Sequence, residues 1–322
     1  MQQTSHYQLV SQVYWGLLAC EIQTEQSRES TELRTVRKIK DLIKAKYSES
    51  PMDMLHQTSW LLYWSLVFSF TAKGTNGMFA ALLADKQNFG EQYLNVIQLR
   101  SQHLMRHMVA AFLLGRSNYQ PQPKAQLTKK EIHPLPVNAL PKIALPIIVQ
   151  EKDVYSDSFT QFAEALFEEF DFDLAIELAE KMADEACQDI LLKPHAAEIR
   201  RQALLYVFEV QARLNKQDND LGSFCKENNI RDVEVAMSEV ENNMKQTGLI
   251  VDRDPENNGV LLIQGNQFDV KGKIFTATTE LYSRSVNLKT SFEKHQKQLQ
   301  EAITELKQKE AEKAPEEKKK KT

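Results

Sequence analysis

Apolar positions recur with helical spacing along most of the chain. Val10, Val13, Tyr14, Leu17, Leu18 and Ile22 fall on a 3.6-residue period and predict a helix over 5–22. Leu33, Val36, Ile39 and Ile43 mark a second, more polar helix over 28–47. Ser50-Pro51-Met52-Asp53 is a strong helix start, because Ser can cap, Pro suits the first helical position and Asp favours the positive helix end. The helix that follows is apolar nearly all round (Trp60, Leu61, Leu62, Tyr63, Trp64, Leu66, Val67, Phe68, Phe70), which predicts a central core helix with Trp60 and Trp64 packed inside. Two more helices are expected at about 77–85 and 91–114.

The texture then changes. Six of the ten prolines lie between Pro121 and Pro146. Proline removes a donor and biases its predecessor to extended conformations, so 116–150 reads as a proline-rich strap or insert. Its apolar residues, Leu135 to Ile148, suggest that part of it docks on a surface. Helices resume at Ser158-x-x-Gln161, a capping-box pattern, with a stripe of Phe159, Phe162, Ala163, Leu166, Phe167 and Phe170. A helix at about 173–187 and another from Pro194 complete a set of paired antiparallel helices, the pattern of an α-solenoid.

Residues 219–265 differ. Two short helices, Leu221 to Asn228 and Asp232 to Gln246, precede β-type runs at Leu249-Ile250-Val251 and Val260-Leu261-Leu262-Ile263, joined by an Asn/Pro/Gly-rich turn. Helix, helix and hairpin in that order predict a winged helix-turn-helix. An isolated two-stranded hairpin is marginal in water, and an open strand edge is a template for pairing. Val260, Leu261, Leu262 and Ile263 are therefore candidate partner-binding residues at the wing edge. From 271 to 312 one long helix of about 60 Å is expected. Leu281, Leu288, Phe292, Leu299, Ile303 and Leu306 stand at gaps of 7, 4, 7, 4 and 3, the gaps of one narrow seam, and are candidate contacts of a multi-helix bundle. The end, 313–322, reads as a disordered basic tail in which Lys318, Lys319, Lys320 and Lys321 are a candidate RNA contact. The expected fold is all-α: a helical-repeat stack (1–115 and 151–216), a small winged helix (217–270) and a long C-terminal helix.

Composition supports helices and excludes several classes. Ten glycines in 322 residues are few for a sandwich or a phosphate-cradling loop. A net charge of −4 does not suit a protein that coats nucleic acid. Three scattered cysteines form no CxxC pair and fit a reducing compartment. The opening MQQTSHYQLV lacks the pattern of a signal peptide, and no run is long enough to span a bilayer. The expectation is a cytoplasmic protein without a membrane partner.

No catalytic constellation is found, and no cofactor or metal is expected. His103 and His107 share a helix face, but Leu104 stands where a zinc-protease motif needs Glu. Glu168, Glu169, Asp171 and Asp173 flank a helix break, where Asp173 is placed to cap the next helix. Cys187 and Cys225 have no nearby His at a diagnostic spacing, and no GxxxxGK[ST], GxGxxG or GxSxG occurs. The second helix of the winged unit carries Glu234, Glu239 and Glu241, the wrong charge for a phosphate-facing reader. Protein pairing is the better reading, and reversing Glu239 and Glu241 to Lys is the test against it.

Several strings resemble one family. They are Trp15-Gly16-x-Leu18-Ala19-x-Glu21-Ile22, Leu55-x-Gln57-x-x-Trp60-Leu61-x-x-Trp64-Ser65-Leu66, Gln92-Tyr93-Leu94-Asn95-Val96-Ile97-Gln98, Phe170-Asp171-Phe172-Asp173-x-Ala175 and Gly259-Val260-x-x-x-x-Gly265. In that order they resemble the E subunit of eukaryotic translation initiation factor three, one of the PCI-domain proteins. The family carries further helical repeats ahead of the position of Tyr14-Trp15, and a shorter, more basic connection in place of 116–150. The resemblance implies a non-catalytic scaffold subunit that supports assembly on the small ribosomal subunit and messenger RNA recruitment. The implied partners are other PCI subunits of the same complex and the small ribosomal subunit, with a weak RNA contact through the tail. The winged-helix part alone would equally fit a PCI scaffold subunit of the proteasome lid or the COP9 signalosome. A winged-helix nucleic-acid binder is the reading from another class.

Overall fold

The computed structural model describes 2–23, 31–47, 50–71, 78–84, 90–117, 138–214, 220–247, 249–253, 260–264 and scattered helical positions between 278 and 296. The chain divides into two compact units, Met1–Asn266 and Gln267–Thr322.

In the first unit the helices are α1 (Gln2–Gln23), α2 (Thr31–Tyr47), α3 (Pro51–Thr71), α4 (Met78–Ala84), α5 (Gly90–Arg100), α6 (Met105–Ser117), α7 (Leu145–Glu151), α8 (Ser158–Glu164), α9 (Phe172–Gln188), α10 (Ala196–Leu214), α11 (Leu221–Glu227) and α12 (Val233–Gln246). Most pack on their chain neighbours, α1 on α2, α2 on α3, α8 on α9 and α9 on α10, as expected of a helical stack. α6 also meets α4, α8 and α10, so it is the central element, and Val109 to Leu114 are fully buried in it. One contiguous apolar core runs from Leu18 to Leu261. Among the described residues, strand is confined to the antiparallel hairpin β1 (Ile250–Arg253) and β2 (Leu261–Gln264), with Val251 opposite Ile263, and to a single bridge from Val260 to Asp220.

Three local expectations are corrected. First, the strap is partly helix. Residues 118–137 lie outside the described residues, but Leu140–Ala144 form a π-helical turn that runs directly into α7, and Leu140, Ile143, Ile147 and Ile148 are buried. Pro146 cannot donate, and its ring would crowd the carbonyl four residues back. The wider π turn, closed by the Leu145 amide on the Leu140 carbonyl, makes room for it. Second, α8 is capped one residue earlier than the sequence suggests. The Asp157 carboxylate accepts the Thr160 amide at 2.9 Å, and the Thr160 hydroxyl accepts the Asp157 amide at 2.9 Å. Likewise Asp171, not Asp173, caps α9, accepting the Leu174 amide at 3.1 Å. Third, α3 is not buried all round, because Trp60 is 52% exposed.

His107 of α6 is buried edge-on to Phe70, and its Nε2 lies 3.2 Å from an Asp189 carboxylate oxygen. Burial lowers its pKa, outweighing the attraction of Asp189 and Asp157, while Arg106 and His103 lower it further. The unfolded chain therefore takes up this proton first as pH falls below about 6.5, and folding stability falls with it. Urea unfolding at pH 7.5 and 5.5 should show a smaller loss in His107→Phe than in the parent. Equal losses would remove His107 as the cause.

Candidate interaction surfaces

The winged-helix order is α11, α12, β1 and β2. Asp220 starts α11, its carboxylate accepting the Ser223 amide at 3.1 Å. Asn229 takes a left-handed conformation (φ 52°) in the turn that follows, a region asparagine tolerates. Met237, Val240 and Met244 on α12 are buried, as are Val251 and Leu261 in the hairpin. Phe224 of α11 meets Phe208 of α10 with ring centres 5.3 Å apart, which seats this unit on the helical stack.

The acidic residues of α12 are bound within the chain. Glu239 accepts from Arg201 at 3.0 Å and from Gln202 at 3.1 Å, both on α10. Glu241 accepts from Lys245 at 2.5 Å and from Arg253 of β1 at 3.0 Å, and the Lys245 hydrogen bond, the largest influence, holds its carboxyl below the usual range. Reversing these two residues would therefore attack the packing of the unit, so it does not isolate a nucleic-acid contact. Glu239→Lys sets a cation against Arg201 and should lower stability by about 1–3 kcal/mol. Unchanged thermal melting would show that this contact holds nothing.

At the wing edge the residues divide. Leu261 is fully buried in the chain's own core, Leu262 is 42% exposed, and Val260 is half-buried and bridged to Asp220. Of Ile263 the backbone pairing alone is described. On the C-terminal seam, Leu281, Leu288 and Phe292 are helical and 65%, 62% and 74% exposed. Leu299, Ile303, Leu306 and Lys318 to Lys321 lie outside the described residues.

Candidate chemistry is sparse. Among the described residues no group of three or more His, Cys, Asp or Glu is placed to hold a metal ion. His103 stacks on Tyr63 with its Nε2 3.0 Å from the Tyr63 hydroxyl, while His107 turns to Phe70 and Asp189. Cys225 is buried and its thiol pKa is pushed up by burial, whereas Cys20 and Cys187 are exposed. No described helix is long and apolar enough to cross a membrane.

The sequence offered no sign of a charged cluster inside the stack. Glu209 of α10, fully buried, pairs with Arg116 of α6 and Arg213 of α10, and the Arg116 guanidinium lies 3.5 Å from the Tyr206 ring centre. Arg213 also donates to Thr247 at 3.1 Å, reaching the end of α12.

These features define a class: an all-α helical stack closed by a small unit of winged-helix order. Within it, the chain is similar to proteins named as the E subunit of eukaryotic translation initiation factor 3. That of Anopheles gambiae is 30% identical over 205 residues, which are 63% of this chain and 41% of the relative. That of Botryotinia fuckeliana is 30% identical over 177 residues, 55% of this chain and 34% of the relative. The E-1 subunit of the same factor from Drosophila willistoni is 30% identical over 210 residues, 63% of this chain and 41% of the relative. No family model matches the chain. The chain spans about two fifths of the length of the first of these relatives.

Proposed function

We propose that this chain is a non-catalytic scaffold subunit of a eukaryotic translation initiation factor 3 complex, supporting assembly on the small ribosomal subunit and messenger RNA recruitment. The observation that carries this reading is the 30% identity to the E subunit over 205 residues. The division of labour follows the sequence: repeats at 1–115 and 151–216, a winged helix at 217–270, a bundle helix at 271–312 and a basic tail at 313–322. The wing offers Leu262 and the strand edge to a neighbouring PCI subunit. The seam from Leu281 to Leu306 enters a helix bundle, and Lys318 to Lys321 make a weak RNA contact. Exposed leucines and a phenylalanine on one helix are costly in water, since burying each is worth about 1.5–3 kcal/mol. That supports a partner for the seam. Residence in the cytoplasm follows from the same reading.

Affinity purification of the tagged chain from its own cells tests it. Translation factors and small-subunit ribosomal proteins are the expected companions. Recovery of protease-lid or signalosome proteins instead would overturn the assignment.

A further inference from the structure

All three tryptophans of the chain, Trp15 of α1 and Trp60 and Trp64 of α3, line one surface groove together with Gln57. The groove holds about 260 Å³. A second groove of about 400 Å³ adjoins it across Trp60 and is lined by His56, Ser59, Tyr63 and Arg100. Tyr63 is fixed in place, donating to Ser101 at 3.1 Å and lying 3.0 Å from His103 Nε2. Trp60 is half exposed on a well-packed helix, which sets it apart from the neighbouring buried positions Leu61, Leu62 and Leu66.

Two features say what such a surface takes. Among the described residues, none of the three indole N–H groups and neither amide hydrogen of Gln57 has a protein acceptor, and none is sealed from solvent. The walls are therefore apolar faces bearing unspent donors. Charge is the second. Among the described residues neither groove is lined by a carboxylate, and Arg100 and His56 are exposed at the second, with no carboxylate partner for Arg100. Some described cations of the first unit, Arg106, Arg116, Lys152, Arg200, Arg201 and Arg213, do meet carboxylates.

From this we infer that the paired grooves bind an extended, polyproline-II-like segment of a partner protein with an acidic flank. A polyproline-II chain has no internal hydrogen bonds and presents its carbonyls outward, which matches the free indole and amide donors. Its proline rings pack on flat aromatic walls, and little order remains to be imposed on binding. A partner α-helix would leave those donors unmatched, because its carbonyls are already bonded within it. A nucleic-acid strand would need a basic track along its phosphates, and among the described residues the lining supplies Arg100 and His56 alone. Glutamate or aspartate beside the proline core meets Arg100. This holds whichever complex the chain joins.

Because the chain's only tryptophans lie here, intrinsic tryptophan emission of the full-length protein reports on this groove directly. The probes are a Pro-x-x-Pro decapeptide flanked by glutamates, the same core flanked by lysines, and a twelve-residue oligouridine. Saturable emission change with the glutamate-flanked peptide, and weaker response to the other two, is the expected result. With fluorescently labelled peptide, Trp60→Ala should weaken binding at least about tenfold, as for a central aromatic anchor. Its thermal melt should remain that of the parent. Arg100→Glu, at an exposed site, should reverse the preference between glutamate and lysine flanks, and serves if the tryptophan variant does not fold. The proposal is overturned by no saturation at millimolar peptide, by undiminished affinity in a folded Trp60→Ala, or by tighter binding of oligouridine. Self-association that protects the tryptophans at the concentrations used would assign the groove to a second copy and overturn it too.

Discussion

Replacing Glu209 with Ala should destabilise the first unit by about 3–5 kcal/mol, the cost of leaving buried charge without its partner. Glu209 is fully buried between Arg116, also buried, and Arg213. Removing the carboxylate leaves two guanidinium groups facing each other across α6 and α10, one of them beneath the Tyr206 ring. Burial already pushes the Tyr206 hydroxyl up to about 12, so it does not ionise to replace the lost negative charge at neutral pH. Arg213→Ala should cost less, because Arg116 and Glu209 then remain as a matched pair. Urea unfolding of the parent and both variants gives the order directly. If Glu209→Ala lies within about 1 kcal/mol of the parent, the site is wetter than its burial implies and the central lock is elsewhere.

The sequence was informative where one helix carries the signal within itself. α9 alternates buried Ala175, Leu178, Ala179, Met182 and Ala186 with exposed polar positions, and its period alone predicts both the element and its inward face. The wing was legible for the same reason, since β-type runs on either side of a turn need no distant information. What was hidden depends on contacts between segments far apart. Arg116 and Glu209 stand 93 residues apart, and neither looks unusual beside its neighbours in the chain. Trp60 misled in the opposite sense. The apolar run around it predicts burial, yet α3 is covered where it meets α2, α4 and α5, and an apolar side chain on an uncovered side stays in water. The acidic residues of α12 read as unsuited to phosphate, but their use as an internal clamp appears only once Arg201 and Arg253 are placed beside them.

Deleting 274–322 should leave the first unit folded while abolishing most of its co-purification with the partner subunits proposed above. Among the described residues the apolar core of that unit runs from Leu18 to Leu261, all of it before the cut. The thermal transition of the truncated chain should therefore lie close to that of the parent. The lost segment carries Leu281, Leu288 and Phe292, all helical and mostly exposed, and the same seam continues in sequence through Leu299, Ile303 and Leu306. Seating six such side chains in a bundle offers about 9–18 kcal/mol of burial before the ordering of the segment is set against it. Even a small surplus from that difference decides whether a complex holds, since each 1.4 kcal/mol is about a tenfold change in affinity. His295 is on the same seam, exposed, with Nδ1 2.8 Å from the Ser291 carbonyl. Within a bundle it would act as a polar register contact, and Leu288→Asp should weaken assembly far more than His295→Gln. The two measurements separate the possible failures. A truncated chain that unfolds while the complex still forms would place this helix in the chain's own core. A truncated chain that is folded and still fully assembled would transfer the docking role to the wing and the helical stack.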